Sequence, residues 1–111
     1  CGFVTVHNPG WDMHGGPTQY NMPHGMSSLG RPVDHAVSTF LDDVESRGLS
    51  DKILLVVCGE MGRNPKINNR GGRDHWGAIA PLLVSGGGLQ MGQVVGQSNR
   101  HAGEPARKSD V

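Results

Sequence analysis

A carboxylate and an imidazole stand two residues apart near the start of the chain, at Asp12 and His14 in the motif Gly-Trp-Asp-Met-His-Gly. Side chains two residues apart in an extended segment point the same way, so both can converge on one ion. This oxygen and nitrogen donor set suits zinc, manganese or iron, and suits calcium less well. Taken alone, Asp12 is better explained as a turn residue and His14 as a surface histidine.

A second motif, Gly-Glu-Met-Gly-Arg-Asn-Pro at 59–65, directly follows an apolar run and contains Glu60 and Arg63. If the strands before the two motifs are parallel, both motifs lie at the carboxyl edge of one sheet, where α/β proteins bind ligands. We therefore expect Glu60 to lie close to Asp12 and His14. The alternative is that Glu60 is simply a solvated carboxylate.

The third motif, Gly-Gly-Arg-Asp-His-Trp at 71–76, contains Arg73 and His75. If the next strand runs antiparallel to the strand before Glu60, His75 stays at the same edge and joins the metal site. Arg63 and Arg73 then flank the ligands, and guanidinium groups pair well with sulfate or phosphate oxygens. A metal with arginines is suited to ester hydrolysis at phosphorus or sulfur. The alternative for Arg73 is a local ion pair with Asp74 that contributes little.

The remaining histidines have no motif around them and are interpreted as ordinary surface or tail residues: His7, His24, His35 and His101. The three glycines at 86–88 follow a strand but open no helix, so they are not typical of a phosphate-binding loop. The same lack of a Gly-rich strand-to-helix turn disfavours a nucleotide-binding unit.

The elements that would position these motifs form a strand–helix–strand unit. Apolar residues at spacings of three and four predict an amphipathic helix over 29–47, capped by Ser27 or Ser28 and ended by Gly48. Strands are predicted at 3–7, 53–58, 79–84 and 93–96. The run 53–58 shows no alternation, so both of its faces should be covered, with Cys58 buried. The first two strands should be parallel.

Composition narrows the functional classes. The chain has 111 residues, which suits one domain, and its 10 basic and 10 acidic residues give no field that would favour nucleic acid or an anionic membrane. No stretch is long and apolar enough to span a bilayer. Because a core strand is predicted at the first residues and the end is polar, we expect 1–102 to be the C-terminal part of a larger domain and 103–111 a polar tail.

The three motifs, in this order and with the helix between the first two, resemble the sulfatase-like domain-of-unknown-function 1501 family of the alkaline phosphatase superfamily. The similarity covers nearly the whole chain. It implies an α/β fold, here a βαβ-based mixed sheet with long Gly-rich loops at its carboxyl edge. This would be a fragment of an alkaline-phosphatase-like three-layer sandwich.

The resemblance also implies a divalent metal centre, usually binuclear, with zinc first and manganese or iron as alternatives. Mapped by motif, Asp12, His14, Glu60 and His75 would hold the metal. Met61 stands where the superfamily often has a second ligand histidine. The superfamily's nucleophile would lie upstream of this sequence, so the catalytic residue is unknown and the segment should bind metal better than it catalyses.

We therefore expect a metal-dependent hydrolase of small-molecule sulfate or phosphate esters. The alternative is a non-catalytic metal-binding or assembly module with the same fold. Exposed sheet edges would favour a homo-oligomer. The resemblance suggests a periplasmic or secreted location.

Overall fold

The computed structural model describes residues 2–106. They form a small mixed α/β fold with one helix and two small antiparallel sheets. The helical segments are α1 (Met22–Gly25) and α2 (Arg31–Ser46), joined without a break by one π-helical turn, Met26–Gly30. The strands are β1 (Leu54–Cys58), β2 (Gly62–Arg63), β3 (His75–Trp76) and β4 (Leu82–Gly86).

The predicted helix is confirmed, but it begins earlier than expected. Asn21 is its N-cap, and its side-chain oxygen accepts a hydrogen bond from the backbone N–H of His24 at 3.0 Å. Ser27 and Ser28 lie inside the helix, so the predicted cap there is wrong. The wide π-helical turn ends at Gly30, with only Arg31 between it and Pro32, which has no N–H for the regular ladder and whose ring crowds the preceding turn.

The helix ends where the sequence predicts, at Gly48. This glycine has a φ of 63°, which a residue with a Cβ adopts only at a cost. Its N–H donates to the carbonyl of Glu45, and the N–H of Leu49 donates to the carbonyl of Val44. Together the two bonds form a Schellman motif, which satisfies carbonyls that the helix end would otherwise leave open.

The larger sheet pairs β1 with β4 in antiparallel register, with Val56 opposite Val84. The predicted antiparallel course of the strand that follows the third motif is therefore confirmed. Burial alternates along β1, where Leu55 and Val57 are partly covered while Leu54 is 52% and Val56 48% exposed. The expectation that both faces of this strand are covered, with Cys58 buried, is wrong. Cys58 is exposed, on the same face as Leu54 and Val56.

Two predicted strands do not form. Residues 3–7 and 93–96 adopt no regular structure, and no segment within residues 2–106 forms a ladder with either one. Strand propensity is realised only where a neighbouring strand can accept the backbone hydrogen bonds. Because β1 pairs only with β4 in this part of the chain, the predicted parallel βαβ unit is also absent there.

The segment 97–106 folds into a turn over Trp76. Ser98 and Pro105 form an antiparallel bridge, and the Trp76 indole N–H donates to the carbonyl of Gly103 at 2.6 Å. The start of the predicted tail is thus hydrogen-bonded to β3, while 107–111 lie outside the described residues. No helix within 2–106 is long and apolar enough to cross a membrane.

Candidate metal centre

Backbone contacts join the first and third motifs side by side. The N–H of Arg73 donates to the carbonyl of Met13 at 2.9 Å, and Gly15 forms an antiparallel bridge with Gly71. Gly71 also accepts a hydrogen bond from the N–H of Met22, at the start of α1. The two loops are therefore held to each other and to the helix start, although about sixty residues separate them along the chain.

Close packing beneath the loops depends on two glycines. Met13 is 4% exposed, and its side chain lies where a Cβ on Gly25 would be. A Cβ on Gly72 would overlap the backbone of His14 and Met13. Only glycine permits this approach of the third motif to the first.

Three side chains converge above this packing. Asp12 Oδ1 lies 2.9 Å from His75 Nε2, and His14 Nε2 lies 3.1 Å from His75 Nε2 and 3.6 Å from Asp12 Oδ1. Asp12, His14 and His75, here called the ligand triad, are the one group in residues 2–106 whose atoms could jointly hold a metal ion. The predicted convergence of the first and third motifs is therefore present in the fold.

The spacing of these atoms fits a small divalent ion. Zinc bonds to nitrogen and oxygen are about 2.0–2.2 Å long, so neighbouring ligand atoms around one ion lie roughly 2.8–3.6 Å apart. All three separations in the triad fall in that range. Two imidazoles and one carboxylate suit zinc or iron better than calcium, and three protein ligands leave a coordination position open.

The ring orientation of His14 is set by Asp74, a residue that sequence reasoning treated only as a possible ion-pair partner. His14 Nδ1 lies 3.0 Å from Asp74 Oδ1, so the Nδ1–H donates to the carboxylate and Nε2 presents its lone pair to the triad. The hydrogen bond from His14, followed by one from Asn68, lowers the pKa of Asp74 below its ordinary value. A carboxylate behind a histidine is a common arrangement around protein-bound metals.

Arg63 lies between Asp12 and Glu60. Its Nη1 donates to Asp12 Oδ1 at 2.9 Å and its Nη2 to Glu60 Oε1 at 3.0 Å. Hydrogen bonds from His75 and then Arg63 lower the pKa of Asp12 from 3.8 to about 2. Glu60 is therefore near the triad but linked to it through the guanidinium, outside the group of converging atoms.

Arg73, the second predicted oxyanion residue, is placed differently. Its Nη1 donates to the carbonyls of Asn64 and Pro65, at 2.8 and 2.7 Å. These bonds hold the loop between β2 and β3 in shape. The position favours a structural contribution, and the oxyanion role of Arg73 stays a prediction.

The triad is open on one side. The side chain of His14 is 17% exposed, whereas those of His75 and Asp12 are 47% and 56% exposed. An ion held here would be anchored from below by His14 and would face solvent beside Asp12 and His75.

The fold and the site together define a small α/β domain with a candidate three-residue metal centre. Residues 1–110 match the family described as "Protein of unknown function (DUF1501)", and the chain belongs to that family. No curated protein matched the chain, and no solved structure matched it either. The family match leaves the sulfatase-like placement as a prediction.

Proposed function

We propose that this chain carries the metal-binding part of a sulfatase-like hydrolase of the alkaline phosphatase superfamily, acting on sulfate or phosphate esters. The observation that carries the proposal is the ligand triad, three donor atoms within 4.8 Å of one another, contributed by two loops far apart in sequence. Exposed acidic groups often cluster without an ion. Two imidazole nitrogens meeting one carboxylate, with a second carboxylate behind one ring, is a more demanding arrangement.

Each side chain then has a definite task. Asp12, His14 and His75 hold the ion, zinc by preference, and Asp74 keeps the lone pair of His14 directed at it. When bound, the metal would polarise an ester oxygen and supply an acidic water. Arg63 is the cation best placed to pair with a tetrahedral oxyanion, since its guanidinium already lies against Asp12. Glu60 shares that guanidinium and supports it from the other side.

A second candidate, a non-catalytic metal-binding or assembly module, is favoured by one observation. Within residues 2–106, no serine, threonine or cysteine side chain makes a hydrogen bond to the triad. A module that only binds metal would need no such group. The two candidates therefore share the metal site and differ in turnover.

Zinc titration of the purified chain tests the metal site, which both candidates share. We expect zinc binding in the wild type and its loss, by at least about tenfold in affinity, in Asp12→Ala and His75→Ala. The matched controls are Asp42→Ala and His35→Ala, which remove the same side-chain types from the exposed surface of α2. Equal affinity in all five proteins would overturn the proposed site.

Turnover tests the hydrolase directly. The zinc-loaded chain is incubated with an aryl phosphate and an aryl sulfate, with His75→Ala treated identically. Hydrolysis above the level of His75→Ala supports the hydrolase and contradicts the binding module. Zinc binding with no difference in hydrolysis is expected of the binding module, and equally of the hydrolase if its nucleophile lies outside this chain.

A further inference from the structure

The side chain of Asn68 connects the loop of the third motif to His14 through every hydrogen-bonding atom it has. Its Oδ1 accepts from the backbone N–H groups of Arg70 and Gly72, at 2.9 and 3.0 Å. Its Nδ2 donates to the carbonyl of His14 and to Asp74 Oδ1, each at 3.1 Å. An amide has two acceptor sites and two donor hydrogens, so the capacity of this one is fully used.

The network also fixes which way round the amide lies. In the flipped orientation, the NH₂ group would face two backbone N–H groups and the oxygen would face a carbonyl and a carboxylate. All four contacts would then be repulsive. The orientation observed is the only one the surroundings satisfy.

Both hydrogen bonds donated by Asn68 Nδ2 restrain His14, one directly and the other through Asp74. One reaches the backbone of His14, and the other reaches the carboxylate that receives the ring proton of His14. The distance between the His14 backbone and its carboxylate partner is therefore set by a single planar amide. Besides His14, the side chain within residues 2–106 that forms an ion pair with Asp74 is the exposed Arg70, whose Nη2 lies 3.8 Å from Oδ1.

We infer that Asn68 is a positioning residue of the metal centre, which holds Asp74 against His14 and thereby keeps the His14 ring proton on Nδ1 and the lone pair of Nε2 directed at the ligand triad. This inference rests on the proposed metal site for its effect on affinity. Its effect on the His14 tautomer does not depend on the metal and is expected in the metal-free protein.

Asn68→Asp separates this positioning from mere loop support. The aspartate keeps an oxygen for the N–H groups of Arg70 and Gly72, so the loop retains its acceptor. It replaces the NH₂ group by an oxygen facing Asp74 and the carbonyl of His14, so both donor bonds are lost and two carboxylates are brought together. Asn69→Asp is the matched control, because it adds the same charge one residue away, at an exposed side chain that hydrogen-bonds to no described residue.

The first readout is the tautomer of His14 in the metal-free chain, from the nitrogen-15 shifts and proton couplings of its ring. We expect predominantly Nδ1–H in the wild type and in Asn69→Asp, and a shift toward Nε2–H in Asn68→Asp. The second readout is zinc affinity, which we expect to fall by roughly tenfold to a hundredfold in Asn68→Asp only.

The outcomes distinguish the inference from the proposed function. A wild type that binds no zinc, with the tautomer shift still present in Asn68→Asp, overturns the metal site and supports the positioning. Zinc binding that is equal in Asn68→Asp and Asn69→Asp, with an unchanged tautomer, overturns the positioning and leaves the metal site standing. If Asn68→Asp does not fold, Asp74→Ala tests the same link, and an unshifted His14 tautomer there contradicts it.

Discussion

At the scale of single residues, the site is built from pairs in which one side chain sets the state of another. Asp74 sets the orientation of His14, and hydrogen bonds from His75 and Arg63 lower the pKa of Asp12. Such pairs need groups from distant parts of the chain to meet within about 3 Å. The three motifs could be identified from the sequence. Which residue of a motif faces the triad and which one supports a neighbour could not, because that depends on these long-range contacts.

Arg63 provides the first prediction at this scale. Arg63→Met should leave zinc binding in place and weaken binding of inorganic phosphate to the zinc-loaded chain by roughly tenfold or more, because a charge-assisted hydrogen bond is lost. Calorimetric titration with phosphate measures this. Arg31→Met, on the exposed surface of α2, is the control and should behave as the wild type. Equal weakening in both variants would show that only net charge matters.

The second prediction at this scale concerns Asp12 and the stability of the metal-free protein at acid pH. Its folded pKa of about 2 lies below the ordinary 3.8, so the stabilisation it contributes is present above the ordinary value and is lost as the pH falls through about 2. Urea unfolding from about pH 5 down to about pH 2 should show the wild type losing its advantage over Asp12→Asn across that window. A difference between the two proteins that does not change with pH would contradict the assignment. Asp42→Asn serves as the control.

At the scale of elements, the close approach of the two ligand loops is the feature that makes the site. Gly72 lies against the backbone of Met13 and His14, where no Cβ fits. We expect Gly72→Ala to separate the loops and to lower zinc affinity by more than about tenfold. This is the size of loss expected when a metal ligand loses a hydrogen-bond partner that orients it. Gly77→Ala is the matched control, because nothing lies within 4 Å of a Cβ at Gly77. Circular dichroism checks that the helix persists, and unchanged affinity in Gly72→Ala would contradict the packing argument.

The helix and β1 could be predicted from sequence because their signals are local. Apolar spacing, Gly48 and the run 53–58 act over a few residues, and tertiary packing agrees with them. The N-cap at Asn21 was missed because Ser27 and Ser28 are equally good capping residues and lie nearer to the apolar stripe. Residues 3–7 carry strand propensity, but they lack a ladder partner in 2–106, and propensity alone does not supply one.

The convergence of Asp12, His14 and His75 could be predicted, but not the contacts that produce it. The parallel strand pair on which the prediction partly rested does not form within residues 2–106, and backbone hydrogen bonds between the first and third motifs bring the three side chains together instead. Asn68 and Asp74 were not proposed, since their role depends on the exact path of the loop between β2 and β3. That path is set by hydrogen bonds to backbone groups, which leave no signature in residue types.

At the scale of the whole molecule, one face of the β1–β4 sheet is apolar and exposed. Leu54, Val56 and Leu82 lie on it and are 52%, 48% and 61% exposed. Apolar surface of this kind favours association, so self-association of the chain stays a prediction.

Sedimentation velocity should show larger species whose fraction rises with concentration, and Val56→Lys should reduce that fraction. Val94→Lys, in a loop where the valine is 96% exposed, is the control. Identical sedimentation of all three proteins would contradict a sheet-mediated contact.

Zinc content is the direct test of whether two distant loops bring Asp12, His14 and His75 together to hold a metal. The wild-type chain and His75→Ala are equilibrated with zinc, desalted and measured by elemental analysis, with His35→Ala as the control. We expect stoichiometric zinc in the wild type and in His35→Ala and little in His75→Ala. Zinc absent from the folded wild type, or present equally in His75→Ala, would contradict it.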